Sequence, residues 1–258
     1  MAFLILILGL AAGWGFVNRV NIKQSVLAWQ NKRALPAAVN LEQLKNLIVS
    51  PVKDAAVIDE KKQMPEALPE EINMAVPFVS QAPYRVWDHL HNESCEEASL
   101  IMLDAFYKNK KSLSKEEAEL AIQNLIKWEK EKYGYFEDTT SEQGVETLEE
   151  FFKLSGAKVV YDIAIDDIKK ELAAGRPVVA PAAGKLLKNP YFRNGGPLYH
   201  MLIIKGYTKD GRFITNDPGT NRLGADFTYK MDALYNAIHD WREDGDILKG
   251  RKAMIVIE

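Results

Sequence analysis

The alternation of apolar and polar positions divides the chain into three stretches. Residues 2–17 read AFLILILGLAAGWGFV, with no charge and no polar face. A helix packed on a protein core needs a polar side, so residues 1–18 predict a signal anchor or a signal peptide. Residues 19–75 hold short apolar patches, one of which, 41–49, has the spacing of a helix. The stretch then turns charged and proline-punctuated in KDAAVIDEKKQMPEALPEEIN. Few aromatics with many Glu, Lys and Pro predict a linker that is partly helical or disordered. From residue 76 to 258 the pattern is that of a packed domain. Its entry is a short extended strand at 76–79, fixed by Pro77, and a loop follows over 80–93.

Within the domain, helical periodicity comes first. An apolar majority predicts a buried helix over 95–107. Ser114 with Glu117 three residues on forms a capping-box pattern, and Ala118, Ala121, Ile122, Leu125 and Trp128 continue a helical stripe. A third helix is predicted over 145–154, ended by Gly156. A fourth covers 165–174, with Gly175 in the position that closes a helix. After Pro177 the period shortens. PVVAPA reads as a buried strand, and YHMLIIKGYT and RFITNDP read as two strands joined by a turn at Lys209-Asp210-Gly211. A helix over 231–241 and a closing strand KAMIVIE complete the chain. Helices precede an antiparallel sheet, so the expected class is α+β with the two groups segregated. No internal repeat is present.

Composition narrows the function. The chain has 47% hydrophobic and 27% charged residues and a net charge of −3. That balance gives no basic footprint for nucleic acid. The single cysteine excludes an internal disulfide and a cysteine-rich zinc site. Arg19, Lys23, Lys32 and Arg33 follow the apolar run, which by charge alone favours a cytoplasmic C-terminal part. The layout of apolar run, linker and domain favours export instead. The expectation is a single-pass membrane protein with an extracytoplasmic domain, held through its N-terminal segment, or a secreted one.

The lone thiol sits in Ser94-Cys95-Glu96-Glu97. Ser94 and Glu97 have capping-box spacing, which puts Cys95 at the first helical position, where unpaired N–H groups and the helix dipole favour a thiolate. Glu96 and Glu97 oppose that effect, so an imidazolium partner is needed. A buried, inert cysteine is the ordinary alternative. Of the four histidines, His200 opens a predicted strand just after the flexible Asn194-Gly195-Gly196. His239 reads as a surface residue. If Tyr207 pairs with Arg212, Leu202 lies opposite Asp217, and His200 is diagonal to Asp217 on the same face, within side-chain reach. Asp217 can then orient the imidazole, although an Asp-Pro pair also simply starts turns. Gln81, in VPFVSQAP, offers an amide to a developing oxyanion. His89-Leu90-His91 with Glu93 and Cys95 is the one metal-like cluster, and no second ligand group accompanies it. No metal and no cofactor are expected.

The segments VPFVSQAPYRVW, ESCEEASLIML, AAGRPVVAP, GPLYHMLIIKGYT and FITNDP resemble the peptidase family thirty-nine-like branch of the papain superfamily. Its founding members clip double-glycine leaders from bacteriocins. The resemblance runs from about residue 76 to the C-terminus. It implies a papain-like α+β fold, with a nucleophile helix packed on an antiparallel sheet. It further implies Cys95 as nucleophile, His200 as general base and then acid, Asp217 as orienting group and Gln81 as oxyanion donor. Trp87, Gly195, Gly196 and Tyr199 are the candidate cleft walls. Where the family often has Gly after the cysteine, this chain has Glu96. The founding members' transporter domains have no counterpart here, so leader cleavage is not carried over. The expected activity is thiol-dependent amide hydrolysis of a peptide or protein substrate. The alternatives are transglutaminase-like acyl transfer on the same triad, and a non-catalytic, membrane-tethered module that binds peptides.

Overall fold

Helices dominate the first part of the described domain and strands the second, with single helices set between the later strands. The structure, a computed structural model, describes residues 35–44 and 68–258. The expected anchor at 1–18 and most of the expected linker lie outside the described residues. Among the described residues no helix is long and apolar enough to cross a membrane. The helix expected over 41–49 is helical at 41–44, and its remainder lies outside the described residues.

Along the chain the elements are β1 (Ile72–Asn73), α1 (His89–Asn92), α2 (Cys95–Tyr107), α3 (Lys115–Tyr133) and α4 (Ser141–Glu150). They are followed by β2 (Ala157–Tyr161), α5 (Ile165–Ala173), β3 (Val178–Ala183), β4 (Tyr199–Thr208) and β5 (Arg212–Asn216). β6 (Phe227–Lys230), α6 (Met231–Ala237) and β7 (Ala253–Ile257) complete them. The strands form an antiparallel sheet in the order β2-β7-β3-β4-β5-β6, with β1 added against β4. Every residue of β3, β4 and β7 is buried. Strands so continuously apolar are covered on both faces. α2 packs on β4, α5 on β3 and β4, and α6 on β3 and β5. The class is α+β, with the helix that carries the thiol laid on the strand that carries His200.

Several boundaries move. The entry strand is β1, paired with Gly206 and Tyr207, rather than 76–79, where Val76 and Val79 are buried in irregular backbone. Val39 bridges Met74, and Leu44 lies in the core, so packing begins ahead of Val76. β1 approaches so closely that a Cβ on Gly206 would collide with the Ile72 carbonyl oxygen, so only glycine fits there. α4 starts at Ser141, four residues before its apolar stripe, because Thr140 and Gln143 make a reciprocal capping box. The same device opens α3 at Ser114 and Glu117, as expected. α6 stops at Ala237 rather than 241. The loop expected over 80–93 contains α1, and β2 and β6 are additional strands.

The β4–β5 hairpin positions the site. Thr208 pairs with Arg212 across the three residues Lys209-Asp210-Gly211, and Gly211 takes φ +81°. A three-residue loop ending in a left-handed glycine is a common hairpin closure. It differs by one residue from the Tyr207–Arg212 pairing expected. A bulge between Ile204 and Gly206 then absorbs that residue, and Ile203 pairs with Asn216. The extra residue, Lys205, is buried, and its ammonium donates to Asn73 Oδ1 (2.8 Å) and the Met74 carbonyl (2.9 Å) and pairs with Asp226 (2.8 Å). Past the bulge the register is the expected one, so His200 and Asp217 meet.

Candidate active site

His200, near the start of β4, and Asp217, just past the end of β5, form a buried pair, 1% and 0% exposed. His200 Nε2 lies 3.0 Å from Asp217 Oδ1. The same carboxylate oxygen accepts the Gly219 N–H (3.1 Å), so Asp217 also caps the turn Pro218–Leu223. The Asp-Pro pair thus starts a turn and also places its carboxylate on the His200 ring. The other oxygen, Oδ2, accepts the Tyr229 hydroxyl (2.5 Å) and the Asn189 amide (3.0 Å). Burial alone would push the carboxyl up. The charge of His200 and the hydrogen bonds from His200, Tyr229 and Thr220 outweigh it and hold Asp217 below its ordinary value. A low-lying, fully satisfied carboxylate is suited to hold one tautomer of a histidine and to stabilise its cation.

Asn189 and Tyr229 escaped the sequence reading. Asn189 also donates toward Thr220 Oγ1 (2.9 Å) and the Tyr229 oxygen (2.8 Å), so it ties the β3–β4 connection, the turn after β5 and β6 into one polar knot. Asn189 precedes a proline in a loop, and Tyr229 lies in a four-residue strand. Neither has a sequence signal beyond an Asn-Pro turn and one aromatic alternation.

Cys95 opens α2 as expected, at 5% exposure. Ser94, however, does not cap the helix. Its hydroxyl donates to the Leu90 carbonyl (2.6 Å), because α1 ends only two residues before α2 begins. Glu97 does not complete a capping box either. It is wholly buried, and its carboxyl hydrogen-bonds that of Glu129 from α3. With both ionised, neither Glu97 oxygen has a donor. The pair therefore shares a proton; burial and then the Glu129 charge lift Glu97 well above the carboxylate range, and burial, with the Glu96 charge, lifts Glu129 to about 8.

The thiol donates to Glu96 Oε2 at 2.9 Å and is not hydrogen-bonded to His200 in this arrangement. Burial first, then the Glu96 charge and this hydrogen bond, push the Cys95 thiol up, and only the Met201 backbone acts in the other direction. That interaction places the sulfur beside β4, one residue from His200. Phe192 packs edge-on against the His200 ring (5.2 Å between centroids).

The remaining predicted residues fall as follows. Gln81 is buried, and its amide donates to the carbonyls of His91 (2.8 Å) and Asn92 (3.0 Å), while its Oε1 has no partner. Its two N–H groups thus close the end of α1, immediately before the thiol helix. Trp87 is half-buried and Gly195 is open. Gly196 abuts Gly184 and Phe192. Tyr199 faces inward, its hydroxyl on the Thr139 carbonyl (3.0 Å). His91 is held by Asp88 (2.7 Å) and Glu119 (3.1 Å), and His89 packs on Phe136. His239 is half-buried with its Nδ1 near the Ala237 carbonyl, and burial lowers its pKa. Among the described residues no group of three or more His, Cys, Asp and Glu side chains is arranged to hold a metal ion.

A family model described as the Peptidase_C39 like family matches residues 74–247. Among solved structures the chain is similar to a protein described as a C39-like peptidase from Bacillus anthracis. The TM-score is 0.45 and the identity 16%, over 74% of this chain and 98% of that one. It is also similar to a prointerpain A fragment from Prevotella intermedia, with a TM-score of 0.30 and 18% identity, over 43% of this chain and 31% of that one. No curated protein matches.

Proposed function

The chain belongs to the Peptidase_C39 like family, and from that membership we propose that it is a cysteine peptidase acting through Cys95, His200 and Asp217. The observation that carries the reading is the buried His200–Asp217 pair. It occupies Nε2 and leaves Nδ1 for a neighbouring acid. Rotation of Cys95 about its Cα–Cβ bond exchanges Glu96 for that nitrogen. The thiol then gives its proton to His200, and the thiolate attacks the carbonyl of a peptide substrate. The imidazolium returns the proton to the leaving amine. Water, deprotonated by the same ring, releases the acyl group. The first N–H groups of α2 have no intrahelical acceptor and face the developing oxyanion. Gln81 joins them by releasing one of its two carbonyl bonds.

Cleavage profiling of a proteome-derived peptide mixture with the wild type beside Cys95→Ala tests the reading. Cleavages present in the first and absent from the second are expected. Identical patterns would overturn it.

Tyr229→Phe removes one donor from Asp217. We expect kcat/KM on a profiled peptide to fall about tenfold, in the range of one charge-assisted hydrogen bond. Asp217 then protonates at higher pH, so the acid limb of the pH profile moves toward neutrality. A change in melting temperature with no movement of that limb would make Tyr229 purely structural.

A further inference from the structure

Glu96 touches the nucleophile, yet it takes no part in the proton transfers between Cys95, His200 and the leaving amine. Its side chain is 1% exposed. Oε2 accepts the Cys95 thiol at 2.9 Å, and Oε1 accepts the Thr139 N–H at 3.2 Å. The Thr139 carbonyl in turn accepts the hydroxyl of Tyr199, the residue before His200. One carboxyl therefore bridges the thiol and, through residue 139, the strand that bears the base. A glutamine of the same shape could accept the Thr139 N–H equally well. A carboxylate beside a nucleophilic sulfur instead disfavours the thiolate.

The groups facing Glu96 are almost all acidic. Cys95 and Glu97 lie on its own helix, Glu129 on α3, Asp138 on the α3–α4 connection and Tyr199 on β4. Among the described residues no cation pairs with it. Burial, and then the Glu97 charge, therefore favour its neutral form well above the ordinary carboxylate range. Asp138 is lifted to about 6 by burial and by Glu93 and Glu137.

We propose that Glu96 is a positioning residue that sets the state of the nucleophile. Ionised, it takes the thiol hydrogen and turns the sulfur away from His200; neutral, it frees the sulfur for the imidazole. The inference rests on the cysteine peptidase reading. In the neutral state the Cys95 proton passes to His200 Nδ1, and the O–H of Glu96 can donate to the resulting thiolate rather than repel it. In the ionised state the S–H bond stays intact and the imidazole stays neutral. Raising the pH through the Glu96 titration thus switches the site off. An ordinary cysteine becomes more reactive over the same interval as it ionises.

Alkylation of the full chain by iodoacetamide, read by intact mass, reports on this without a substrate. Cys95 is the only cysteine, so every adduct is at the site. The wild-type rate is expected to fall as the pH rises from mildly acidic through the Glu96 titration. Glu96→Gln is expected to lose that fall and, at the alkaline end, to react about tenfold faster or more, as a tenfold gain in thiol acidity gives. The same profile in Glu96→Gln as in the wild type would overturn the proposal. If Glu96→Gln does not fold, the wild-type profile decides alone, and a rate that only rises with pH refutes the proposal. His200→Ala separates the two layers. If it leaves the wild-type rate and profile unchanged, the Cys–His reading fails. If it slows alkylation while Glu96→Gln changes nothing, only the role of Glu96 fails.

Discussion

Replacing His200 with alanine is expected to lower kcat/KM on a profiled peptide by roughly four to six powers of ten, as much as removing Cys95 itself. The expectation follows from how the ring is held. Asp217 takes Nε2 at 3.0 Å and is itself pinned by Tyr229, Asn189 and the Gly219 N–H, so the imidazole has one orientation and one tautomer. Among the described residues no second imidazole is hydrogen-bonded to the thiol. The groups closest to the sulfur are Glu96, which opposes ionisation, and backbone. Residues that act as a unit are not additive, so Cys95→Ala/His200→Ala should be no slower than either single variant. Steady-state rates for the three variants check this. Residual activity in His200→Ala within tenfold of the wild type would mean that the imidazole is not the base.

The features that were legible in the sequence share a local cause. β3, β4, β5 and β7 declare themselves by continuous or alternating apolar residues, and α3 by a capping box and a stripe. His200 and Asp217 could be brought together by counting along a hairpin. The count succeeded because the closing turn and the bulge offset one another. The turn holds three residues where four were expected, and Lys205 takes up the difference. A pattern of side chains cannot reveal such a bulge, because the bulged lysine is buried by bonds to Asn73, Met74 and Asp226, distant in sequence.

Ser94 shows the opposite case. Its S-x-x-E spacing is the same as at Ser114, yet only Ser114 caps. A cap pattern presumes that the serine is free and that the glutamate lies at a solvated helix end. Here a preceding turn of helix supplies a carbonyl to Ser94, and every residue from Cys95 to Phe106 is buried. Both conditions are tertiary and invisible to a four-residue motif. Glu97 was consequently read as a cap when it is half of a buried acid pair.

That acid pair carries the second large expectation, which concerns stability. Glu97 and Glu129 keep a proton between them in the folded protein, with Glu129 raised from 4.5 to about 8. The unfolded chain loses these protons in the ordinary carboxylate range. Between that range and about pH 8 the folded state therefore binds more protons than the unfolded one, and stability falls as the pH rises. The contribution is fully present below the ordinary carboxylate range and is lost as the pH climbs from there through the folded value. Each tenfold difference in proton affinity between the folded and unfolded states corresponds to about 1.4 kcal/mol, so the loss reaches several kcal/mol, or roughly a 10 °C fall in melting temperature for a domain of this size. Glu129→Gln should remove a clear part of the slope, because an amide donates to Glu97 without titrating, while the buried Glu96 and Glu97 keep the rest. The variant should match the wild type in mild acid and melt higher above neutrality. Melting temperatures followed by circular dichroism from about pH 5 to pH 9 measure the difference. A wild-type melting temperature independent of pH across that interval, or an equal slope in Glu129→Gln, would show that the two carboxyls do not share the proton. Because Glu129 does not touch the sulfur, its substitution should raise alkaline stability while the wild-type decline in Cys95 alkylation persists. Glu96→Gln should abolish that decline, so alkylation separates the roles of the two buried acids.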